Sequence, residues 1–236
     1  MISGMFGKKM GMTQVFDNDG NITPVTVIEP GPCVVLELKD SPLKITLGYQ
    51  PVQETHIRKP QLGYFKKLGI PPQRFVKEFS STDNKEYAPG KELKADFFRA
   101  GDFVNVTATS IGKGFQGGMK RWHWKGGPAA HGSMHHRRIG SIGASTYPSR
   151  VFKGHHMPGH MGMDTVTIQK LRVMRVDTDK NLIAVKGAIP GHRRAVVIIQ
   201  KSLKKAFRSL DEKKEVVVSK RNPMKQSKAK VAGKTK

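Results

Sequence analysis

The 236-residue chain carries 42 Lys plus Arg against 18 Asp plus Glu, a formal net charge of +24 with a pI near 10.3, and such an excess repels itself in a compact fold unless a polyanion (RNA, DNA or an anionic membrane surface) offsets it. The longest apolar runs, such as residues 195–199, fall far short of the ~20 residues that span a bilayer, and the first residues show no signal-peptide pattern, so no membrane partner is expected. The single cysteine, Cys33, excludes an internal disulfide or a Cys-rich zinc site and fits a small buried residue in a reducing compartment, the cytoplasm.

In chain order, residues 12–16 and 22–28 read as strands flanking Asp17-Asn-Asp-Gly20, whose Asx and Gly residues accept turn conformations. Pro30-Gly-Pro32 breaks the chain before a strand over 33–38, and Ser41-Pro42 precedes another over 43–49. Pro71-Pro72 followed by residues 73–79 predicts one short helix within the less clear region 51–100. Residues 103–111 form a further strand. After the long stretch described next come β-branched runs at 165–169, 171–176, 182–185 and 195–200, with a turn at Asp177-Thr-Asp-Lys-Asn181. Many short strands separated by turn signals predict a mainly β body, a barrel or a sandwich. No internal repeat is present.

Residues 103–163 break this pattern. They contain no Asp or Glu, but eight Lys or Arg, seven of the nine His and 12 of the 25 Gly. Residues 201–236 carry 13 basic and three acidic residues, which leaves only +6 on the other 139. Charge therefore divides the chain into an ordinary body and two basic appendages. In the first appendage, Phe115, Trp122, Trp124, Tyr147 and Phe152 are interleaved with Lys113, Lys120, Arg121, Lys125, Arg137, Arg138, Arg150 and Lys153. Aromatic and Arg planes stack on unpaired bases while Lys and Arg neutralise phosphates, so the mixture suits irregular folded RNA. Its Gly and Pro content opposes long helices or strands, and its few apolar residues cannot offset the entropy of folding alone. The bland alternative is a surface loop without function. Order gained only against RNA is the expectation here.

Three sharper readings fail on their own requirements. Gly112-Lys-Gly-Phe-Gln-Gly117 matches G-x-G-x-x-G after a strand, but a dinucleotide site needs an acid about 20 residues on, and none precedes Asp164. His131 with His135 and His136, and His156 with His160, have metal-like spacings, yet no Cys or carboxylate lies nearby in sequence and Pro158-Gly159 interrupts the second pair. A Ser–His pair built on Ser133 or Ser141 has no local acid to orient the imidazole. No catalytic residue, metal or cofactor is therefore expected. In the C-terminal appendage, Leu203, Phe207 and Leu210 fall at i, i+4 and i+7 and predict a short amphipathic helix docked on the body, followed from Lys220 by a Lys-rich, acid-free stretch expected to order only on polyanion.

Several motifs resemble the L-three family of large-subunit ribosomal proteins, in its bacterial form. They are Gly7-Lys-Lys-Met-Gly-Met-Thr-Gln-Val-Phe16, Gly112-Lys-Gly-Phe-Gln-Gly117 with Lys120-Arg121-Trp122, His131-Gly132-Ser133, Arg138-Ile-Gly-Ser-Ile-Gly143, Val151-Phe-Lys-Gly154, Met157-Pro-Gly-His-Met-Gly162, and Asn181-Leu182 leading to Val185-Lys-Gly-Ala-Ile-Pro-Gly191. They run in order along the chain except at 51–100 and after Lys201. The resemblance implies a discontinuous β-barrel body of the translation-protein type (residues 1–112 and 164–200), a long irregular finger (113–163) reaching through rRNA toward the peptidyl transferase centre, and a basic C-terminal tail (201–236). It also implies a structural, non-enzymatic role, early binding in subunit assembly, and large-subunit rRNA and neighbouring ribosomal proteins as partners, without self-association. Together with composition it nominates Lys8, Lys9, Lys113, Phe115, Lys120, Arg121, Trp122, His123, Trp124, Lys125, His131, Arg137, Arg138, Ser141, Arg150, Lys153 and His160 as rRNA-binding. Two departures stand out. Where many bacterial relatives carry a methylated glutamine after Gly-Ser-Ile-Gly, this chain has Ala144, and the Lys-rich tail runs past the usual end. A free nucleic-acid chaperone or regulator using the same finger transiently is the competing class.

Overall fold

A computed structural model describes residues 2–16, 20–82 and 87–210. The chain is mainly β. Six antiparallel strands close into a barrel in the order β1 (Gly4–Phe16), β12 (Val196–Lys201), β7 (Phe103–Thr109), β10 (Thr165–Asp177), β11 (Leu182–Lys186) and β2 (Ile22–Pro30). A second sheet of order β5 (Gln73–Ser80), β4 (Leu43–Pro51), β3 (Cys33–Asp40), β6 (Glu92–Leu93) lies against it. A two-stranded ribbon, β8 (Gly114–Gln116) with β9 (Gly159–Met161), stands apart from both. The remaining elements are α1 (Lys59–Leu68), α2 (Gly118–Trp122) and two single 3-10 turns, Glu54–His56 and Ala95–Phe97.

Alternation explains the barrel strands. Along β7, Val104, Val106 and Ala108 face inward, and β12 supplies Val197 and Ile199. Fully burying each Val, Leu or Ile contributes roughly 1.5–3 kcal/mol relative to exposure. Barrel and side sheet share one core, because Phe6 of β1 stacks on Tyr49 at 5.7 Å and meets Phe79 edge-on at 5.6 Å. The link between the sheets turns at Gly31, whose φ of 65° and close approach to the Leu93 carbonyl leave no room for a side chain. Cys33 lies fully buried beside it, and burial pushes its thiol up to about 12.

Three expectations are corrected. Residues 73–79 form a strand, not a helix: β5 pairs with β4 (Tyr49↔Phe75, Ile45↔Phe79) and buries Gln73 and Phe79. The apolar positions Phe75, Val76 and Phe79 suit either period, and the open edge of β4 decides between them. The helix of this region is α1, with Pro60 in its first turn and Gly69 in the left-handed conformation at its end. Second, 165–169 and 171–176 are one strand, β10, bulged where Lys170 takes φ 60° and donates its N–H to Asn105 Oδ1 at 3.0 Å. Third, no helix forms over 201–210: after β12, Ser202 N–H bonds the Phe103 carbonyl (2.8 Å), the Arg172 guanidinium bonds the Ser209 carbonyl (2.6 Å), and Leu203 is 98% exposed. Two turns of amphipathic helix are marginal alone, and extended backbone bonding to the barrel replaces them. The expected turn at 17–19 and the tail from 211 lie outside the described residues.

Candidate nucleic-acid interface

The acid-free stretch leaves the barrel where β7 ends and re-enters where β10 begins, since Thr109 pairs with Thr165. Its root is stapled by β8 and β9 (Gly114↔Met161, Phe115↔His160) and by the Lys113 N–H on the Met161 carbonyl at 2.9 Å. Gly162, with φ 81°, packs against Ile111 and Gly112 backbone, a contact that no side chain permits. Beyond the root, α2 folds back onto the returning strand: Arg121 Nη1 and Trp122 Nε1 each donate to the Met157 carbonyl at 2.8 Å. The Trp122 ring stacks on His156 (4.0 Å between centroids, 5° between planes), with the Arg121 guanidinium 5.0 Å from the same ring. His123 ends α2 with φ 59°, and Trp124 lies so close over Gly118 that a Cβ there would meet its ring at 1.9 Å.

Further out regular structure stops. Lys125, His131, Arg137, Arg138, Ser141, Arg150 and Lys153 are all exposed. The Ser141 hydroxyl donates to the Gly143 carbonyl (2.9 Å), His136 Nδ1 meets the Pro128 carbonyl (2.8 Å), and Arg150 lies 5.5 Å from the Phe152 ring. An open hollow of about 630 Å³ lies among Trp124, His135, Arg138, Ser141 and His156. None of the core apolar residues lies between 113 and 163. The segment is therefore held by its own hydrogen bonds and ring stacks and presents cations and rings outward without a competing carboxylate.

The nominated residues do not all sit alike. Lys113, Phe115, Lys120, Arg121, Trp122, His123, Trp124 and His160 gather at the root and α2. Lys125, His131, Arg137, Arg138, Ser141, Arg150 and Lys153 occupy the outer part. Lys8 and Lys9 stay on β1, and Lys9 Nζ donates to the Ile189 and Gly191 carbonyls at 2.8 Å each, burial holding its pKa below the usual lysine value. Lys9 thus ties β1 to the 189–191 loop. The spacing of His156 to His160 suggests a metal pair and its planar ring suits contact with RNA, yet in the structure its ring carries the stack on Trp122. No local signal marks that pair, 34 residues apart in sequence. Among the described residues, no group of three His, Cys, Asp or Glu is placed to hold a metal, and no helix is long and apolar enough to cross a membrane.

A closed barrel with an acid-free segment rich in cations and rings inserted between two of its strands defines a class of mainly β proteins that present an extended basic surface. The profile of the family described as Ribosomal protein L3 matches residues 74–182. The large ribosomal subunit protein uL3 of Brachyspira hyodysenteriae is 50% identical over 206 residues, covering 86% of this chain and 95% of that protein. The proteins of the same name from Alkaliphilus metalliredigens and Heliobacterium modesticaldum are 49% and 47% identical, covering 86% and 85% of this chain and 99% and 97% of their own. The chain belongs to the ribosomal protein L3 family, whose members are structural and non-enzymatic.

Proposed function

We propose that the chain is a structural constituent of the large ribosomal subunit, working in the cytoplasm, and that it binds large-subunit rRNA directly and early in assembly. In this reading the barrel with its side sheet is the body, residues 113–163 are a finger running through rRNA toward the peptidyl transferase centre, and residues 201–236 are a basic tail. Neighbouring large-subunit proteins adjoin it, and it acts as a single copy. The observation that carries the reading is the exposed arm of eight Lys or Arg and no acid, outside the core yet rooted on two barrel strands. Phosphate neutralisation supplies affinity, and exposed rings such as Phe115, Tyr147 and Phe152 supply stacking on unpaired bases.

The test is co-sedimentation with large subunits through a high-salt wash. A constituent stays bound, whereas a transient chaperone or regulator leaves, and loss of the chain from washed subunits would sink the reading. Placement of the outer arm is tested separately. Substitutions at Arg138 or Ser141 should alter sensitivity to peptidyl-transfer inhibitors while the body stays folded. If they lower only the yield of subunits, the outer arm lies elsewhere.

A further inference from the structure

A second cationic surface lies on the barrel itself. A hollow of about 280 Å³ is lined by Phe103, Lys170, Arg172, Lys186 and Lys205, with no Asp or Glu in its walls. It sits at the far end of β7 from the arm: Arg172 pairs with Phe103, whereas the arm leaves beyond Thr109. Six residues of strand put about 20 Å between the two.

The cations are positioned by the fold. The bulge in β10 sets Lys170 at φ 60°, with its N–H held by Asn105, and bulges commonly re-aim a side chain next to a functional surface. Arg172 Nη2 donates to the Arg208 and Ser209 carbonyls at 3.3 and 2.6 Å, which draws the segment after β12 across the barrel. Its Nε is buried without a hydrogen-bond partner. That segment brings Lys205 Nζ to 3.9 Å from the Phe103 ring. Lys186, at the end of β11, closes the group. Asp102, next to Phe103 in the chain, already faces Lys201 at 3.8 Å and accepts the Arg99 N–H. Like charges gathered in one hollow repel one another unless an anion lies among them.

We propose that this hollow is a phosphate site that grips the RNA backbone, a second anchor independent of the arm. It rests on the rRNA-binding reading above. RNA is favoured over an acidic peptide because the walls offer cationic donors and apolar surface but no neutral polar side chain, so they read charge and not sequence, as contacts to backbone phosphates do.

The experiment measures binding of the full chain to transcribed large-subunit rRNA across a salt series. The variant combines Lys170→Asn, Lys186→Gln and Lys205→Gln, asparagine being chosen because it tolerates the left-handed backbone at 170. If all three lysines meet phosphates, the slope of log K against log salt flattens by about 2, at roughly 0.7 per contact. The same flattening appears when the arm has been replaced by a Gly-Ser linker. The companion Lys170→Arg, Lys186→Arg, Lys205→Arg variant keeps the charge and the slope, and both variants keep the thermal midpoint of the unaltered chain. An unchanged slope in the neutral variant overturns the site while RNA binding stands, and a lost slope in the arginine variant overturns it as well. Loss of binding to poly-glutamate with RNA binding intact overturns it in favour of a protein partner. Absence of RNA binding by the unaltered chain instead removes the rRNA reading on which the site depends.

Discussion

Phe115 and Trp122 are both aromatic and both near the root of the arm, yet their surroundings assign them different work. Phe115 is 76% exposed on a short ribbon, whereas Trp122 is 37% exposed, hydrogen-bonded to Met157 and stacked on His156. A free face can stack on a base, an interaction of about 1–3 kcal/mol by alanine substitution. A ring already engaged within the chain shapes the arm instead. Phe115→Ala should therefore weaken rRNA affinity by about 10-fold or more with little change in salt slope, since stacking releases few counterions. Trp122→Ala should also loosen the arm, seen as faster hydrogen exchange at residues 157–161, a signature that Phe115→Ala lacks. Equal exchange in both variants would show that the Trp122 stack does not hold the returning strand.

At the scale of elements, the arm is graded. Its root has ribbon pairing and α2 folded onto the return strand, while residues 125–155 have no strand or α-helix. Exchange protection follows hydrogen-bonded, packed backbone. In the free chain, amides of β7, β10 and β12 should exchange slowest, those of β8 and β9 at intermediate rates, and those of 125–155 fastest. Bound to rRNA, the last group should slow. Uniformly slow exchange along the arm in the free chain would mean that it is a folded unit and gains no order from RNA.

At the scale of the whole molecule, packing and charge are separated. The buried core lies in the barrel, the side sheet and the segments beside them, and none of it comes from residues 113–163, the acid-free arm. Replacing residues 113–160 by a short Gly-Ser linker should leave the thermal midpoint within a few degrees, whereas Ile199→Ala, in the barrel core, should cost about 2–5 kcal/mol. The same replacement should flatten the rRNA salt slope by roughly 4 if about six arm cations meet phosphates. A midpoint that collapses on arm replacement would show that the ribbon is part of the folding unit.

The amino-acid sequence by itself determined that the chain is mainly β and where most of its strands lie, because alternation and turn residues act locally. It also marked the acid-free, ring-bearing stretch, because charge and aromatic content need no fold to be read. Local pattern could not decide residues 73–79, where Phe75, Val76 and Phe79 suit either period until the edge of β4 claims them, nor residues 203–210, where bonds to the barrel replace an expected helix. Only the tertiary structure commits Lys9 to two loop carbonyls, sets His156 against Trp122, and gathers Lys170, Arg172, Lys186 and Lys205 around one hollow. Those groups lie between two and 182 residues apart in sequence, and strand register and the return of the chain over the barrel bring them within contact range.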